Sequence, residues 1–196
     1  MIFKDRLIKR SFDLCCSFLG LIFCTPIIFI AWVTSAIETK SNGFFIQNRV
    51  GLNGKLIKII KIKTMKNTNQ ARSSITTESV NSITKSGAFF RKYKIDELPQ
   101  LWNVLVGDMS FVGPRPDVPG YADLLEGEDR LVLSIRPGIT GPASLKYKNE
   151  EELLSEQPNP KQYNDEVIWP DKVSINKQYI KEYSFIKDIK YIIQTI

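Results

Sequence analysis

Two adjacent carboxylates, Asp96 and Glu97, stand near the start of the stretch 94–116, KIDELPQLWNVLVGDMSFVGPRP. A carboxylate at a helix start, beside a second one, can hold a divalent cation and act as a nucleophile. The same pair also suits a helix N-terminus, where acids cap and complement the dipole. Spacing alone leaves both readings open. Arg115 follows between Pro114 and Pro116; a guanidinium on so stiff a backbone is suited to gripping a phosphate. The chain has no histidine, which removes Ser-His and Cys-His nucleophile pairs and every histidine-metal site. Any catalysis must rest on carboxylates, lysines, arginines, hydroxyls or thiols. Cys15, Cys16 and Cys24 lie in one apolar segment without metal-ligand spacing, and read as packing residues in a reducing setting.

The elements that must position these groups are short. Leu98, Leu101, Trp102 and Leu105 recur at i, i+3, i+4 and i+7, which predicts a helix with one apolar face. Pro99 suits its first turn and Gly107 its end. Over 44–65, Gly51, Asn53 and Gly54 signal a turn between two strands. Lys55 and Lys58 there read as a solvated or headgroup-facing edge. Residues 66–85 are polar and aperiodic and read as a loop over the site. A helix is expected over 117–133, an acidic helical turn or two over 150–157, and a loop over 158–171. A last helix follows, with Ser184 as cap and Ile186, Ile189 and Ile193 on one face.

Charge and hydropathy point to a membrane. The net charge of +6 is uneven: residues 1–72 hold 12 Lys/Arg against 3 Asp/Glu, and residues 73–196 hold 15 against 18. The basic part also holds the most apolar stretch, 14–37, LCCSFLGLIFCTPIIFIAWVTSAI, which has no charge in 24 residues. That is long enough to span a bilayer core, and Thr25-Pro26 at its middle predicts a kink or break. Residues 1–13 read as a basic amphipathic helix, with Ile2, Phe3, Leu7, Ile8 and Phe12 apolar and Lys4, Arg6, Lys9 and Arg10 wet. A signal peptide competes but lacks a convincing cleavage site. An anionic lipid surface fits this pattern better than nucleic acid, for which no module is recognisable.

The run DELPQLWNVLVGDMSFVGPRP, followed by Arg136-Pro137-Gly138-Ile139-Thr140-Gly141, resembles the bacterial sugar transferase family. These are monotopic polyprenyl-phosphate phosphoglycosyl transferases, which initiate capsule, O-antigen, exopolysaccharide or glycoprotein glycan synthesis. Gln47, Arg49, Gly51, Gly54, Lys55 and the block from Lys61 to Met65 resemble a second family segment, with Ile62 and Lys63 in place of Phe and Arg. Arg91 matches the family's arginine five residues before its nucleophile, whereas Ala88 stands where a basic residue is usual. Thr25-Pro26 replaces the common Ser-Pro at a re-entrant membrane break. Asn176 stands where many members carry an Asp, which leaves open whether Asn176 or Asp171 takes that place. The resemblance runs from Lys9 to the C-terminus, and the chain looks like the family's minimal catalytic unit.

The resemblance implies an α+β fold, mostly helical with a few short strands, in a monotopic membrane protein. Residues 1–40 would form a re-entrant helix-break-helix and 41–196 a cytoplasmic catalytic domain with interfacial helices, one of them at 87–93 with Phe89, Phe90 and Tyr93. The enzyme would sit at the bacterial inner membrane. It would move sugar-1-phosphate from a UDP-sugar to polyprenyl phosphate, with Asp96 as nucleophile and Glu97 holding Mg²⁺. Arg49, Lys61, Arg91, Arg115 and Arg136 are the candidate phosphate contacts. The rival reading is a non-catalytic membrane-surface adaptor binding anionic lipid. The sequence leaves a homo-oligomer open.

Overall fold

Helix α1 (Phe3–Thr39) is 37 residues long and continues through Pro26. It belongs to a computed structural model that describes residues 3–66 and 83–195; the expected loop over 66–85 lies mostly outside them. A helix-break-helix was the expectation, and the helical backbone is instead unbroken. Proline removes one backbone donor, and Thr25 Oγ1 donates to Leu21 O within the same turn, a combination that membrane helices tolerate.

The polarity of α1 is inside out. Its buried positions are Lys9, Asp13, Ser17, Ala31, Ser35 and Thr39, and its exposed ones include Phe18, Leu19, Ile22, Phe23, Ile27, Phe29 and Ile30. In water this would waste apolar burial; in hydrocarbon it is the favourable arrangement. The helix is long and apolar enough to cross a membrane, with a mean hydropathy of 2.4 over its most apolar 18 residues. The expected amphipathic split of residues 1–13 holds at Lys4 and Arg6, which are exposed, and fails at Lys9. Leu7 and Ile8 are exposed, while Lys9 is 7% exposed, its Nζ 2.5 Å from Asp188 Oδ2. Cys15 is exposed on the same apolar side, so it is not a packing residue.

Both ends of α1 are tied to the same body. Near its start, Arg10 donates to Val104 O and Leu105 O, and Asp13 accepts from Ser110 Oγ and from Phe111 N. Near its end, Ser35 Oγ donates to Lys63 O, and Glu38 accepts from Ser86 Oγ.

Strands β1 (Phe44–Val50) and β2 (Leu56–Ile62) form the expected antiparallel hairpin, with Phe44 opposite Ile62 and Val50 opposite Leu56. Its turn uses Asn53 at φ 56° and Gly54 at φ 80°, the left-handed backbone that Asn and Gly tolerate best. α2 (Lys85–Lys92) is capped by Thr84, whose Oγ1 accepts from Gly87 N. It buries Phe90 and exposes Phe89 and Tyr93. α3 (Gln100–Val106) ends at Gly107 with φ 94°, as expected. Its buried Asn103 donates to Lys58 O at 2.7 Å and accepts from Ile60 N at 3.2 Å, so α3 is bonded across β2. Trp102 is 51% exposed and does not join the buried face.

Strands β3 (Ser110–Val112) and β4 (Gly138–Thr140) pair in parallel, Ser110 with Gly138 and Val112 with Thr140. This brings the GPRP and RPGITG runs side by side. Gly113 N donates to Thr140 O and Gly138 N to Pro114 O. A Cβ on Gly138 would lie 2.1 Å from Gly113 N, so only glycine permits this approach.

Between them, residues 117–133 form 3-10 turns at Ala122–Leu124 and Gly127–Ser134 rather than the expected helix. α4 (Pro142–Lys146) and the expected acidic helix α5 (Glu150–Ser155) follow. Residues 158–171, read as loop, are largely helical. α6 (Pro160–Tyr163) runs through a wide π-type turn at Asn164–Ile168 into α7 (Trp169–Lys181). Fully buried Ile168 and buried Val173 supply the packing that local propensity lacks. α8 (Phe185–Thr195) carries Ile186 and Ile193 on one face, as expected, but turns that face outward and Asp188 inward.

Asp188 accepts from Tyr179 Oη at 2.6 Å as well as pairing with Lys9. Lys9→Met leaves that carboxylate buried without its cation, and is expected to cost about 3–5 kcal/mol. Lys9→Met/Asp188→Asn should recover a large part of the loss. Thermal unfolding in detergent checks this; strictly additive effects of the two single changes would contradict it.

Candidate functional site

Asp96 and Glu97 occupy one 3-10 turn, Ile95–Glu97, entered through Lys94 in left-handed backbone at φ 56°. Neither caps α3: its N-cap position is Pro99, with no side-chain hydrogen bond there. The capping explanation for the acidic pair therefore does not hold.

Glu97 Oε1 accepts from Lys61 Nζ at 2.7 Å and from Arg115 Nη2 at 2.8 Å. Lys61 projects from β2 and Arg115 follows β3. Burial by itself would raise the Glu97 carboxyl, but Arg115 and then Lys61 outweigh it and hold the group at about 2. Asp96 is pushed the other way. Burial first and the Glu97 charge second raise it, against the opposing pull of Lys61, Arg91 and Lys94. Its Oδ1 is buried without a hydrogen-bond partner among the described residues. Two neighbouring carboxyls thus have environments that drive them apart, a usual sign of divided roles.

Cations surround the pair. Arg49, from β1, is held by Gln47 Oε1, to which its Nε and Nη2 donate at 3.1 and 2.7 Å; its Nη1 reaches Pro116 O at 3.3 Å. It is close enough to Arg115 and Glu97 to feel both charges. Arg91, at the end of α2, donates through Nε to Thr64 Oγ1 at 3.0 Å and acts on Asp96 electrostatically. Arg115 is half-exposed, so its free donors face outward. Among the described residues no group of three or more His, Cys, Asp or Glu side chains is placed to hold a metal ion. Mg²⁺ does not require one, since it takes one or two protein carboxylates and completes its shell with phosphate and water. The ionised Glu97, whose Oε2 stands outside both ion pairs, is a donor of that kind.

The assembled features are an isolated carboxylate, a charge-clamped one, a ring of cations and an apolar helix facing outward. Residues 4–196 match the family described as bacterial sugar transferase. The chain belongs to that family. The expectation of an enzyme is borne out with it. The transferase is 33% identical over 192 residues to the uncharacterized sugar transferase EpsL of Bacillus subtilis, covering 97% of this chain and 86% of that one. It is 34% identical over 200 residues to the UDP-glucose:undecaprenyl-phosphate glucose-1-phosphate transferase of Escherichia coli, covering 98% of this chain and 40% of that one. A third relative is the UDP-N-acetylgalactosamine-undecaprenyl-phosphate N-acetylgalactosaminephosphotransferase of Aeromonas hydrophila, at 30% identity over 96% of this chain and 43% of that one. The chain therefore spans less than half the length of the last two.

The structure brings Asp96, Glu97, Lys61, Arg115, Arg49 and Arg91 of the transferase together, but not Arg136. Its Nε donates to Gly107 O at 2.7 Å, at the far end of α3. Asp171 is engaged elsewhere, accepting from Lys146 Nζ at 2.7 Å and Tyr147 Oη at 2.6 Å. Asn176 is buried and its Oδ1 is unpartnered among the described residues. One residue of the site gave no sequence signal as a functional group. Asp117, directly after the GPRP run, is raised to about 6 by burial, against Lys172, Arg49 and Arg115. Lys172 in turn pairs with Glu150 at 2.6 Å. Sequence spacing cannot align positions 117, 150 and 172, because Glu150 on α5 and Lys172 on α7 approach Asp117 only in space.

The Asp117 shift has a sign that can be tested. A carboxyl raised on folding stabilises the fold only while protonated, so that contribution is present below about pH 4 and lost as pH rises through about 6. Asp117→Asn escapes the loss. It should melt with wild type at pH 4 and be more stable at pH 8, by roughly 1–2 kcal/mol after allowing for partial solvent screening. Scanning fluorimetry at both pH values decides; a variant less stable at pH 8 would contradict the assignment.

Proposed function

We propose that the transferase moves sugar-1-phosphate from a UDP-sugar to polyprenyl phosphate, as undecaprenyl phosphate, at the cytoplasmic face of the bacterial inner membrane. Its product would feed synthesis of an envelope polysaccharide. The names of its relatives support the substrate classes. The observation that carries the mechanism is the unpartnered, buried Oδ1 of Asp96 beside a fully ionised Glu97.

In this reading Asp96 attacks the phosphorus that bears the sugar. The bond from that phosphorus to the bridging oxygen breaks, and UMP leaves with both electrons. The sugar phosphate is then held on Asp96 as an acyl phosphate. An oxygen of polyprenyl phosphate attacks the same phosphorus, the bond to Asp96 breaks, and the carboxylate is restored as polyprenyl diphosphate sugar departs. No proton has to be moved, which suits a site without histidine. Partial desolvation leaves Asp96 a stronger nucleophile than a hydrated carboxylate. Arg115, Lys61, Arg49 and Arg91 balance the phosphate charges, and Arg115 contributes a fork on a backbone stiffened by two prolines. Glu97 would hold Mg²⁺ and leave Asp96 free to attack. When bound, that ion neutralises the diphosphate and eases departure of UMP.

The tethering of α1 supports a monotopic disposition with both of its ends on one side of the membrane, α1 as the membrane-associated part and residues 41–196 as the cytoplasmic part. Lys9 and Arg10 bind the same body as Ser35 and Glu38. A helix crossing the bilayer would place those two groups on opposite sides. Basic residues also flank the apolar segment on both sides, which a single crossing cannot reconcile with the preference of positive charge for the cytoplasm.

Wild type incubated with UDP-sugar and no lipid acceptor should release about one equivalent of UMP and gain the mass of a phosphosugar on Asp96. Asp96→Asn should do neither while melting near wild type, and a chelator should suppress release by orders of magnitude. Absence of the adduct under rapid quench, with kinetics requiring both substrates bound at once, would sink the covalent route.

Topology has its own test. In a background lacking Cys15, Cys16 and Cys24, single cysteines at Lys4 and at Asn42 should both resist a membrane-impermeant thiol reagent in intact spheroplasts. Labelling at position 4 alone would mean that α1 spans the bilayer.

A further inference from the structure

The Gly107 corner, remote from the acidic pair, concentrates positive charge beyond what the fold uses. α3 ends there, and two arginines meet its last carbonyls. Arg10 donates through Nη1 to Val104 O at 2.7 Å and through Nη2 to Leu105 O at 2.9 Å. Arg136 donates through Nε to Gly107 O at 2.7 Å. Cations suit a helix C-terminus, yet each guanidinium carries five N–H donors, and the cap uses only two of one and one of the other. A Cβ on Gly107 would lie 3.2 Å from Arg10 Nη2 and 3.8 Å from Arg136 Nη2, so these two groups lie within 7 Å of each other. Neither arginine forms an ion pair among the described residues. The nearest acid on α1, Asp13, acts on Arg10 electrostatically, but its hydrogen bonds go to Ser110 and Phe111 and not to either guanidinium. Two like charges brought this close call for an anion.

An apolar track leads away from the pair. Trp102 and Val106, one turn apart on α3, are both about half exposed. α1 packs along α3, with Gly20 against Leu101, and turns Leu14 and Phe18 outward. A cationic end on an apolar track is complementary to a phospholipid, phosphate at one end and chains along the other. Soluble phosphate would leave the track bare.

We infer that Arg10 and Arg136 bind the headgroup phosphate of an anionic membrane lipid, whose chains lie against Trp102, Val106 and the apolar face of α1. Glu97 and Gly107 stand at opposite ends of α3, on the order of 15 Å apart at helical rise, so the lipid site is separate from the carboxylate site. It does not rest on the proposed transfer reaction.

The test is native mass spectrometry of the full chain from micelles doped with equal phosphatidylglycerol and phosphatidylcholine of identical chains. Wild type should retain the anionic lipid with about a tenfold preference. Arg10→Gln/Arg136→Gln should lose that preference. Because Arg10 also caps α3, a second variant guards against misfolding: Val106→Glu alters an exposed side chain, should melt like wild type, and sets a repelling or site-filling charge beside the pair. It too should lose the preference. Millimolar inorganic phosphate should leave wild-type retention unchanged. Equal retention of the two lipids by wild type, or a preference that survives in Val106→Glu, would overturn the site. Displacement by inorganic phosphate would overturn the lipid assignment in favour of a general anion site.

Discussion

Three segments distant in sequence converge on one carboxylate oxygen. Lys61 from β2 and Arg115 from the loop after β3 both bond Glu97 Oε1 in the turn before α3. A mostly buried carboxylate without cations would be strongly disfavoured, so the hairpin, the GPRP loop and the acidic turn must arrive together. Much of the remaining structure serves that convergence. Asn103 bonds α3 across β2 through Lys58 O and Ile60 N. The pairing of β3 with β4 seats the arginine loop, and it depends on Gly113 and Gly138 meeting without side chains. Left-handed Lys94 sets the entry to the turn.

The same clamp creates the asymmetry on which the proposed chemistry turns. With both cations bonded to Glu97, Asp96 is left desolvated beside a negative charge and lacks a bonded partner for Oδ1. Neither aspartate nor glutamate is unusual in itself; the difference between them arises from which one the cations can reach. A nucleophile that must be both charged and unencumbered is well served by a neighbour that absorbs the cations.

A second constraint comes from two solvents. α1 buries lysine, aspartate and small polar residues against the protein and shows phenylalanine, isoleucine and leucine outward. Apolar burial therefore contributes little to holding α1 in place. Polar bonds hold it instead: Lys9 to Asp188, Arg10 to the end of α3, Asp13 to β3 and Ser35 to Lys63 O. Such bonds are directional, so they fix where both ends of the helix sit relative to the acidic pair. Apolar packing against lipid would not.

Read alone, the sequence determined what depends on neighbours along the chain. The β1–β2 hairpin follows from Asn53 and Gly54, which accept left-handed backbone, and the end of α3 from Gly107. The length of the apolar segment and the acidic pair were equally legible, and the matching motifs carried the family. Tertiary structure decided whatever depends on what a side chain meets. Arg136 was grouped with the phosphate-binding cations, yet parallel pairing of β4 with β3 carries it to the end of α3. Lys9 was read as wet and is buried, because Asp188 lies 179 positions away and offers it a charge. Residues 158–171 lack a local helical pattern and are helical because Ile168 and Val173 find a core. Asp117 had no signal at all: its shift depends on burial and on Arg49, Arg115 and Lys172, drawn from three separate parts of the chain. Backbone preferences act over a few residues and leave their mark in sequence, whereas burial and Coulomb interactions act through space and are settled only when the chain has closed on itself.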